Sequence, residues 1–243
     1  MQTKTQNFRA GLRDGLPICL GYFAVSFAFG IQAAGIGLSV PEAAAVSAAN
    51  LTSAGQFAAL GIIAAGASYL ELAFTQLVIN LRYFLMSCAL SQRLSPDMRF
   101  AHRFGIAYGM TDEIFAVSFS RPAPLSPYYS YGLIAAAVPG WVLGTTLGAA
   151  AGSILPGVLT NALGIALYGM FIAIVVPPAK ENRDFAGVAL LSMAVSALFT
   201  FAPYLRDISS GFRIILVTVH VAGGAAWLFP IEDKPVKEED HAA

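Results

Sequence analysis

Eight long apolar runs follow one another along the 243 residues of the chain, and short polar joints separate them. An α-helix needs about 20 apolar residues to cross a bilayer, and most of these runs approach or reach that length. The pattern therefore predicts an all-α, polytopic helical membrane protein with seven or eight hydrophobic segments, some of them broken or re-entrant. The runs are residues 16–34, 43–67, 69–90, 104–119, 129–150, 155–176, 185–204 and 212–229.

Polar sequence marks both ends of the chain. Residues 1–15 are polar and basic, and residues 230–243 are dominated by charged side chains. We interpret residues 1–15 as a cytoplasmic segment, residues 16–229 as a single transmembrane domain and residues 230–243 as a solvated tail. The first apolar run is too long for the hydrophobic region of a typical signal peptide, so we expect it to be retained as a helix.

The positions of Lys and Arg favour a cytoplasmic N-terminus, because basic residues concentrate on the cytoplasmic side of membrane proteins. If all eight runs cross the membrane, eight basic residues lie inside and five outside. If residues 43–67 form a re-entrant hairpin that does not cross, the count is again eight to five. Charge bias therefore leaves seven and eight crossings both open.

Composition narrows the class of protein. Hydrophobic residues make up 57% of the chain, charged residues only 12%, and the formal net charge is zero. A soluble enzyme needs a more charged surface, and a nucleic-acid-binding protein needs a basic excess. The chain has no Gly-rich phosphate loop and no cluster at metal-ligand spacing, so we expect no enzyme activity, cofactor or metal. Cys19 and Cys88 lie within apolar runs and are interpreted as packed thiols.

Four ionisable residues within the apolar runs stand out as candidates: Glu71, Arg82, Asp112 and Glu113. Glu71 is close to a run boundary, which favours a position at the membrane interface. Arg82 is well inside its run, and Asp112 and Glu113 are nine and ten residues past Arg103, near the middle of the membrane. Because charges at this depth are costly, they mark a buried ion pair, a substrate or proton site, or both. Arg82 is a candidate partner for one of the two carboxylates.

Helical periodicity, at about 100° per residue, places polar side chains on two sides of the third run. Gln76 and Asn80 share one face, and Arg82 lies on roughly the opposite face. Neither face suits lipid, so we expect this helix to be central. On a continuous helix over the fourth run, Tyr108 and Asp112 share a face beside two glycines. A close helix contact there would bury the carboxylates in protein.

Three features predict interrupted or closely packed helices. Asn50–Gln56 is too polar and too rich in small residues for a helix facing lipid, and such unwound stretches are tolerated where they line a cavity. Pro139-Gly140 predicts a kink in the fifth run. Small residues that recur every four positions predict a packing surface for a neighbouring helix. They are Gly140, Gly144, Gly148 and Gly152.

Four short motifs occur in order along the chain. They are Gly15-Leu16-Pro17-Ile18-Cys19-Leu20-Gly21-Tyr22 with Phe27-Ala28-Phe29-Gly30, then Ser53-Ala54-Gly55-Gln56-Phe57, Asn80-Leu81-Arg82-Tyr83, and Thr111-Asp112-Glu113 with Phe115-Ala116. Together with Trp141 and the glycines after it, these motifs resemble the AzlC-like branched-chain amino acid permeases over roughly residues 8 to 230. Two positions depart from the family pattern: Tyr83 stands where the family usually has His, and Asn50-Leu51-Thr52 is more polar.

The resemblance implies a membrane transporter subunit that exports branched-chain or other small apolar amino acids. It implies a location in the bacterial inner membrane, as a multi-pass protein. It also implies a separate partner, the small hydrophobic AzlD-type membrane subunit. The expected partners are thus this subunit, an amino acid substrate and the lipid bilayer, with no nucleic acid.

The predicted site must hold both ends of a zwitterion. We assign the substrate's ammonium to Asp112 and Glu113, and its carboxylate to Arg82 or to free N–H groups at the Asn50–Gln56 break. A carboxyl group near a like charge can exchange a proton, so Asp112 and Glu113 are also the predicted proton-coupling residues. The alternatives are an uncoupled channel or facilitator for small zwitterions, and a non-transporting membrane scaffold. The predicted substrate-binding residues are Asn50, Ser53, Gln56, Gln76, Asn80, Arg82, Tyr108, Asp112 and Glu113.

Overall fold

The computed structural model describes residues 3–152, 172, 175–205 and 207–229, and these residues form helices without any strand. The predicted all-α polytopic architecture is confirmed. Among the described residues, five stretches are long and apolar enough to cross a membrane: α1, α4, α7, α8 and the continuous stretch that begins with α9. The helices are α1 (Lys4–Gly35), α2 (Val40–Ala49), α3 (Ser53–Ala64), α4 (Tyr69–Ser91), α5 (Phe100–Tyr108), α6 (Asp112–Phe119), α7 (Pro127–Gly152), α8 (Arg183–Phe201), α9 (Ser210–Val217) and α10 (Gly223–Leu228), with a π-helical turn at Thr218–Ala222.

Seven or eight hydrophobic segments remain a prediction, because the run 155–176 lies almost wholly outside the described residues. The tail over residues 230–243 lies outside them too. At the other end of the chain, α1 begins at Lys4, well before the predicted start at Leu16. A capping box accounts for this early start, because the Thr3 hydroxyl accepts from the Gln6 N–H while the Gln6 side chain accepts from the Thr3 N–H.

Helices α1 and α7 form a parallel pair held together by backbone contact. A Cβ atom added to Gly132 would lie 2.2 Å from the Phe8 carbonyl oxygen, and one added to Gly148 would lie 2.0 Å from the Phe27 carbonyl oxygen. The contacts advance together along both helices, which shows that both begin at the same end of the molecule. The glycine stripe is thereby confirmed as a packing surface, and α7 stays helical through Pro139.

Helices α2 and α3, residues 40–64, form a helical hairpin that we call hairpin A. Its two outer ends pack together, because Ala43 and Leu60 share one buried cluster with Phe29 and Ala33 in the last third of α1. Its tip reaches the middle of α4, where Thr52 meets Asn80. Hairpin A therefore enters and leaves at the end where α1 finishes, as the re-entrant alternative expects.

Helices α5 and α6, residues 100–119, form a second hairpin, which we call hairpin B. It packs against the first half of α1, since Ile106 and Ile114 share a buried cluster with Ile18. Its outer ends lie near the start of α7, where His102 Nδ1 lies 2.8 Å from the Tyr131 hydroxyl. Its tip, residues 109–111, lies beside Tyr22 in the middle of α1. The two hairpins thus enter from opposite ends of the molecule.

Hairpin B corrects the prediction of one continuous helix over residues 104–120. The first helix ends at Tyr108, and a new helix begins after Thr111. Thr111 has an extended backbone, and its hydroxyl accepts a hydrogen bond from the Ile114 N–H. Threonine is a favoured N-cap residue because its side-chain oxygen satisfies an N–H group that the new helix leaves unpaired. The predicted shared face of Tyr108 and Asp112 does not exist, because the two residues belong to different helices.

Helix α4 is less enclosed than predicted. Its two polar faces do contact protein: Gln76 and Asn80 meet hairpin A, and Glu71 meets the start of α9. A third face is apolar and exposed, however, so the helix is not central. Apolar side chains are compatible with lipid, which explains why only the polar faces need protein partners. The exposed residues are Leu70, Phe74, Leu77, Leu81, Phe84 and Leu85.

One end of the molecule, which we call the basic end, collects the starts of α1, α5 and α7 and the joints before α5 and after α6. Ion pairs and hydrogen bonds tie these segments together: Arg121 lies 2.8 Å from Asp14, and Arg93 donates to the Arg121 carbonyl. Of the eight Lys and Arg residues within residues 3–152, only Arg82 lies elsewhere. The others are Lys4, Arg9, Arg13, Arg93, Arg99, Arg103 and Arg121.

Candidate functional site

The candidate site lies where the tips of the two hairpins meet the middle of α4. Residues 50–52 interrupt hairpin A, and Asn50 and Thr52 both have extended backbone conformations. Residues 109–111 interrupt hairpin B. Tyr22, Arg82 and Trp141 lie close to the midpoints of α1, α4 and α7, and we use the term mid-depth for this level. Irregular backbone at mid-depth is tolerated where protein or a cavity surrounds it.

An ion pair joins α4 to hairpin B at mid-depth. Arg82 NH1 lies 2.9 Å from Asp112 Oδ2, and the side chains are 40% and 43% exposed. Arg82 NH2 also donates to the Tyr83 hydroxyl at 3.2 Å, while Arg82 Nε is buried and has no partner within the described part of the chain. The pairing of Arg82 with one of the two carboxylates is confirmed, and the partner is Asp112.

Glu113 has a different partner. The Tyr22 hydroxyl donates to Glu113 Oε2 at 2.5 Å and lies 2.6 Å from Thr111 Oγ1. Tyr22 in turn packs edge-on against Trp141, with ring centroids 5.3 Å apart. Adjacent carboxylates in the first turn of α6 are thus held by two chemically different groups, a guanidinium and a phenol. Negative charge in this turn is favoured by the helix dipole, since α6 points its N-terminus at mid-depth.

A polar chain joins the tip of hairpin A to α4. Thr52 Oγ1 donates to Asn80 Oδ1 at 2.6 Å, Asn80 donates to Gln76 at 3.3 Å, and Gln76 Nε2 donates to the Gly55 carbonyl at 2.8 Å. A Cβ atom at position 55 would lie 2.5 Å from Gln76 Oε1 and 2.8 Å from Thr52 Cγ2, so a larger residue would require these side chains to shift. The first turn of α3 is therefore held against the polar face of α4.

A second polar chain, fully buried, fixes hairpin A to α7. Trp141 Nε1 donates to Gln56 Oε1 at 2.9 Å, Gln56 Nε2 donates to Ser47 Oγ at 3.0 Å, and Ser47 Oγ lies 2.7 Å from Thr145 Oγ1. Gln56, Ser47 and Thr145 have no exposed surface. Because each amide and hydroxyl group has a partner, the chain fixes the position of α3 relative to the scaffold.

The two hairpin tips also touch each other. The Tyr108 hydroxyl, at the last residue of α5, donates to the Ala48 carbonyl in the last turn of α2 at 2.5 Å. The contact joins two helix C-termini that approach mid-depth from opposite ends. The N-termini of α3 and α6 lie beside them, so the site offers helix ends of both signs.

Comparison of the sequence with known proteins identifies a family that the chain matches. The family model described as AzlC protein matches residues 17–155, more than half of the chain. The chain belongs to the AzlC family. The matched stretch contains both hairpins, α4 and α7, and with them every predicted site residue.

Two relatives extend the AzlC match over most of the chain. An uncharacterized membrane protein of Archaeoglobus fulgidus is 33% identical over 189 residues, which cover 77% of this chain and 83% of the relative. The inner membrane protein YgaZ of Escherichia coli (strain K12) is 29% identical over 202 residues, which cover 80% of this chain and 82% of the relative. No solved structure matches the chain.

The fold brings most of the predicted site residues together. Gln56, Gln76 and Asn80 anchor hairpin A, and Tyr108 joins the tips. Arg82, Asp112 and Glu113 supply the charges. Asn50 and Ser53 flank the hairpin A break and are half-buried.

Several residues of the site were missed in the sequence analysis. Tyr22 and Trp141 lie within segments that support the AzlC resemblance, so position in a motif was a usable signal. Thr52 and Thr111 are N-cap residues before mid-run helices, and an N-cap pattern was a second usable signal. Ser47 carries no such pattern, and only the fold reveals its contact with Gln56.

Glu71 lies in the first turn of α4, near the end of the helix, and it is buried in protein. Its side chain is 5% exposed, and its carboxylate accepts from the Ser209 hydroxyl and from the Gly211 N–H, the latter at 3.0 Å. Both donors belong to the start of α9. This second carboxylate centre is separated from Arg82 by eleven residues of α4, about 16 Å along the helix axis.

Proposed function

We propose that this AzlC protein is a transporter subunit that exports small apolar amino acids, with branched-chain amino acids as the preferred class. The observation that carries the proposal is the half-exposed pair of Arg82 and Asp112 between two re-entrant hairpins at mid-depth. Charges at this depth are retained at a cost, and in transporters they mark the path of a charged or zwitterionic substrate.

The proposed substrate contacts follow from the chemistry of a zwitterion. The ammonium group is bound by Asp112 and Glu113, with the helix C-termini of α2 and α5 contributing negative potential. The carboxylate is bound by Arg82 and by N–H groups in the first turn of α3, where Ser53 follows the break and the Thr52 side chain makes no cap hydrogen bond. The apolar side chain of the substrate needs only the hydrocarbon lining that this chain supplies.

Proton coupling is proposed to run through Asp112 and Glu113. The two carboxylates differ in their partners, because Asp112 pairs with the Arg82 guanidinium and Glu113 accepts a hydrogen bond from the Tyr22 hydroxyl. A proton on Glu113 would remove one negative charge from the ammonium site and so favour release of the substrate. Proton binding and ammonium binding at one carboxylate exclude each other, which is the basis of exchange.

We further propose that the basic end is cytoplasmic, in the inner membrane of a bacterial cell. Seven Lys and Arg residues lie at this end within residues 3–152, against two acidic residues, Asp14 and Asp97. The positive-inside rule then places the N-terminus in the cytoplasm. A separate AzlD-type membrane subunit is the proposed partner.

Efflux of labelled L-leucine from vesicles, with and without the AzlD-type subunit, tests the proposal. We expect Arg82→Gln to reduce efflux at least tenfold, and the double variant Arg82→Gln with Asp112→Asn to recover protein yield but not efflux. A purely structural pair would recover both in the double variant, so recovered efflux would overturn the assignment. Glu113→Gln or Asp112→Asn with normal efflux at every imposed pH gradient would exclude coupling there. Efflux that follows only the leucine gradient would indicate an uncoupled facilitator.

A further inference from the structure

The Glu71 centre at the interface of α4 and α9 has no role in the transport site described above. Glu71 is 5% exposed, and both of its donors contact the same oxygen, Oε1. Thr75, one helical turn further along α4, is fully buried, and its hydroxyl has no hydrogen-bond partner among the described residues. A buried hydroxyl group without a partner is unusual and calls for a ligand or a second state.

The Glu71 carboxylate and the Thr75 hydroxyl both lie against the backbone of Gly211. A Cβ atom added to Gly211 would lie 2.5 Å from Glu71 Oε1 and 2.7 Å from Thr75 Oγ1. The backbone of α9 therefore approaches α4 as closely as a glycine permits. Gly211 and Ser209 donate to an ionised carboxylate, while Thr75 can accept from a protonated one. Hydrogen-bond donors are thus present for the ionised carboxylate of Glu71, and a potential acceptor lies nearby for the protonated one.

We propose that Glu71 is a second proton-binding site, and that its protonation weakens the attachment of α9 to α4. Uptake of one proton from water converts the carboxylate into a carboxylic acid, and no other covalent bond changes. The Ser209 and Gly211 hydrogen bonds lose their charge-assisted strength, and the new O–H group gains Thr75 as its acceptor. The proton site itself does not depend on the proposed transport function. Only its expected effect on efflux rests on that function.

Charged and titratable groups around the centre lie on α9 and its neighbours. Arg213 donates through Nε to the Ile208 carbonyl, which keeps part of its guanidinium on the backbone before α9. Asp207 precedes Ser209, and His220 lies in the π-helical turn that also packs against α4. Helix α3, which contacts both α4 and α9, carries no titratable residue.

Glu71→Gln is the central variant, because glutamine keeps the acceptor oxygen for Ser209 and Gly211 but cannot exchange a proton. The matched control is Glu42→Gln. Glu42 accepts from the N–H and the hydroxyl of Ser39 at the start of α2, so it has the same kind of helix-cap contacts on an exposed carboxylate. Both variants are prepared as the full chain with its partner subunit in liposomes.

Infrared difference spectra recorded between high and low pH test the proton site without any transport. We expect Glu71→Gln to lose one component of the carboxylic acid carbonyl band that the wild type and Glu42→Gln show, while any component from Asp112 and Glu113 remains. An undiminished band in Glu71→Gln would overturn the proposal. In leucine efflux, we expect the pH profile of Glu71→Gln to differ at least twofold from those of the wild type and Glu42→Gln, while the pH dependence proposed for Asp112 and Glu113 remains. An unchanged efflux profile in Glu71→Gln would overturn the link to transport.

A second variant covers the case in which Glu71→Gln does not fold. Ser209→Ala removes one donor from the ionised carboxylate and leaves the titrating group in place. We expect the midpoint of the infrared titration to move to higher pH by about one unit, which corresponds to the loss of a single hydrogen bond to a charged group. An unshifted midpoint would overturn the proposal. Loss of leucine efflux in every protein, with the infrared band present, would reject the proposed substrate and retain the proton site.

Discussion

At the scale of single residues, the site combines charges that remain partly exposed with polar groups that are completely buried. Arg82 and Asp112 keep about 40% of their side-chain surface, whereas Gln56 has none exposed. A substrate can compete for partly exposed charges. It cannot reach a buried amide whose partners are Trp141 and Ser47, so Gln56 is best interpreted as a positioning residue.

Gln56→Leu tests this role. The variant keeps the approximate size of the side chain but leaves the Trp141 N–H buried without a partner and removes one of the two partners of the Ser47 hydroxyl. Each unsatisfied group costs about 1–3 kcal/mol, so we expect a clearly lower melting temperature in detergent. Thr146→Val is the control, because the Thr146 hydroxyl bonds only to the Val142 carbonyl of its own helix. Equal melting temperatures for the two variants would contradict the assignment.

Individual charges were predictable from the sequence, but their partners were only partly so. Depth within an apolar run identified Arg82, Asp112 and Glu113, because a charge in that environment is expensive wherever it lies. The contact between Glu113 and Tyr22 links residues 91 positions apart and depends on the break at residues 109–111. Distance from a run boundary did not indicate that Glu71 is buried in protein, since burial there comes from the start of α9, more than 130 residues later.

At the scale of elements, the molecule pairs a rigid scaffold with two interrupted hairpins. The scaffold helices α1 and α7 touch backbone to backbone, and small residues make that possible. The hairpins are built from helices of 8 to 12 residues, which are too short to cross a bilayer alone. The breaks place the ends of these helices, which carry unpaired backbone groups, beside the polar side chains of α4.

Gly148→Ala tests the backbone contact between α1 and α7. The added methyl group would lie 2.0 Å from the Phe27 carbonyl oxygen, so the helices must separate. Overpacking of this kind costs about 1–3 kcal/mol or more, and we expect a lower melting temperature and a lower yield of folded protein. Gly21→Ala on α1 is the matched control, because nothing lies within 4 Å of its added Cβ atom. Indistinguishable thermal unfolding of the two proteins would refute the contact.

Sequence patterns predicted one hairpin and missed the other for a physical reason. Asn50, Thr52 and Ser53 are visibly polar within an apolar run, so the break in hairpin A was expected. The break in hairpin B contains Gly109 and Met110, which are common within transmembrane helices and gave no such signal. Only the Thr111 cap followed by two acidic residues marks a helix start, and these carboxylates were interpreted through their charge alone.

At the scale of the whole molecule, the hairpins bear on the number of crossings, which the sequence left open. With both hairpins re-entrant, the segments around residues 92–99 and 120–126 lie at the same end as the N-terminus. The basic residues of α1, α5 and the joints then add up on one side. Both topologies considered from the sequence place eight basic residues inside and five outside. In this arrangement, seven of the eight basic residues within residues 3–152 lie at one end.

Cysteine labelling tests this topology. In a variant with Cys19 and Cys88 replaced by Ser, single cysteines are introduced at Ser39, Ala65, Asp97 and Ser126. We expect a membrane-impermeant thiol reagent added to intact cells to label positions 39 and 65, and to reach 97 and 126 only after permeabilisation. Labelling of positions 39 and 65 from opposite sides would show that hairpin A crosses the membrane.

The glycine contacts between α1 and α7 also limit how the protein can move. Packed helices ordinarily slide past each other in a shear motion, because side chains at their interface adjust by changing rotamers. Here the opposing groups are backbone carbonyls and Cα atoms, which have no rotamers to change. Sliding along this interface is therefore restricted, and under the proposed transport function the displacement that moves a substrate falls to the two hairpins and α4.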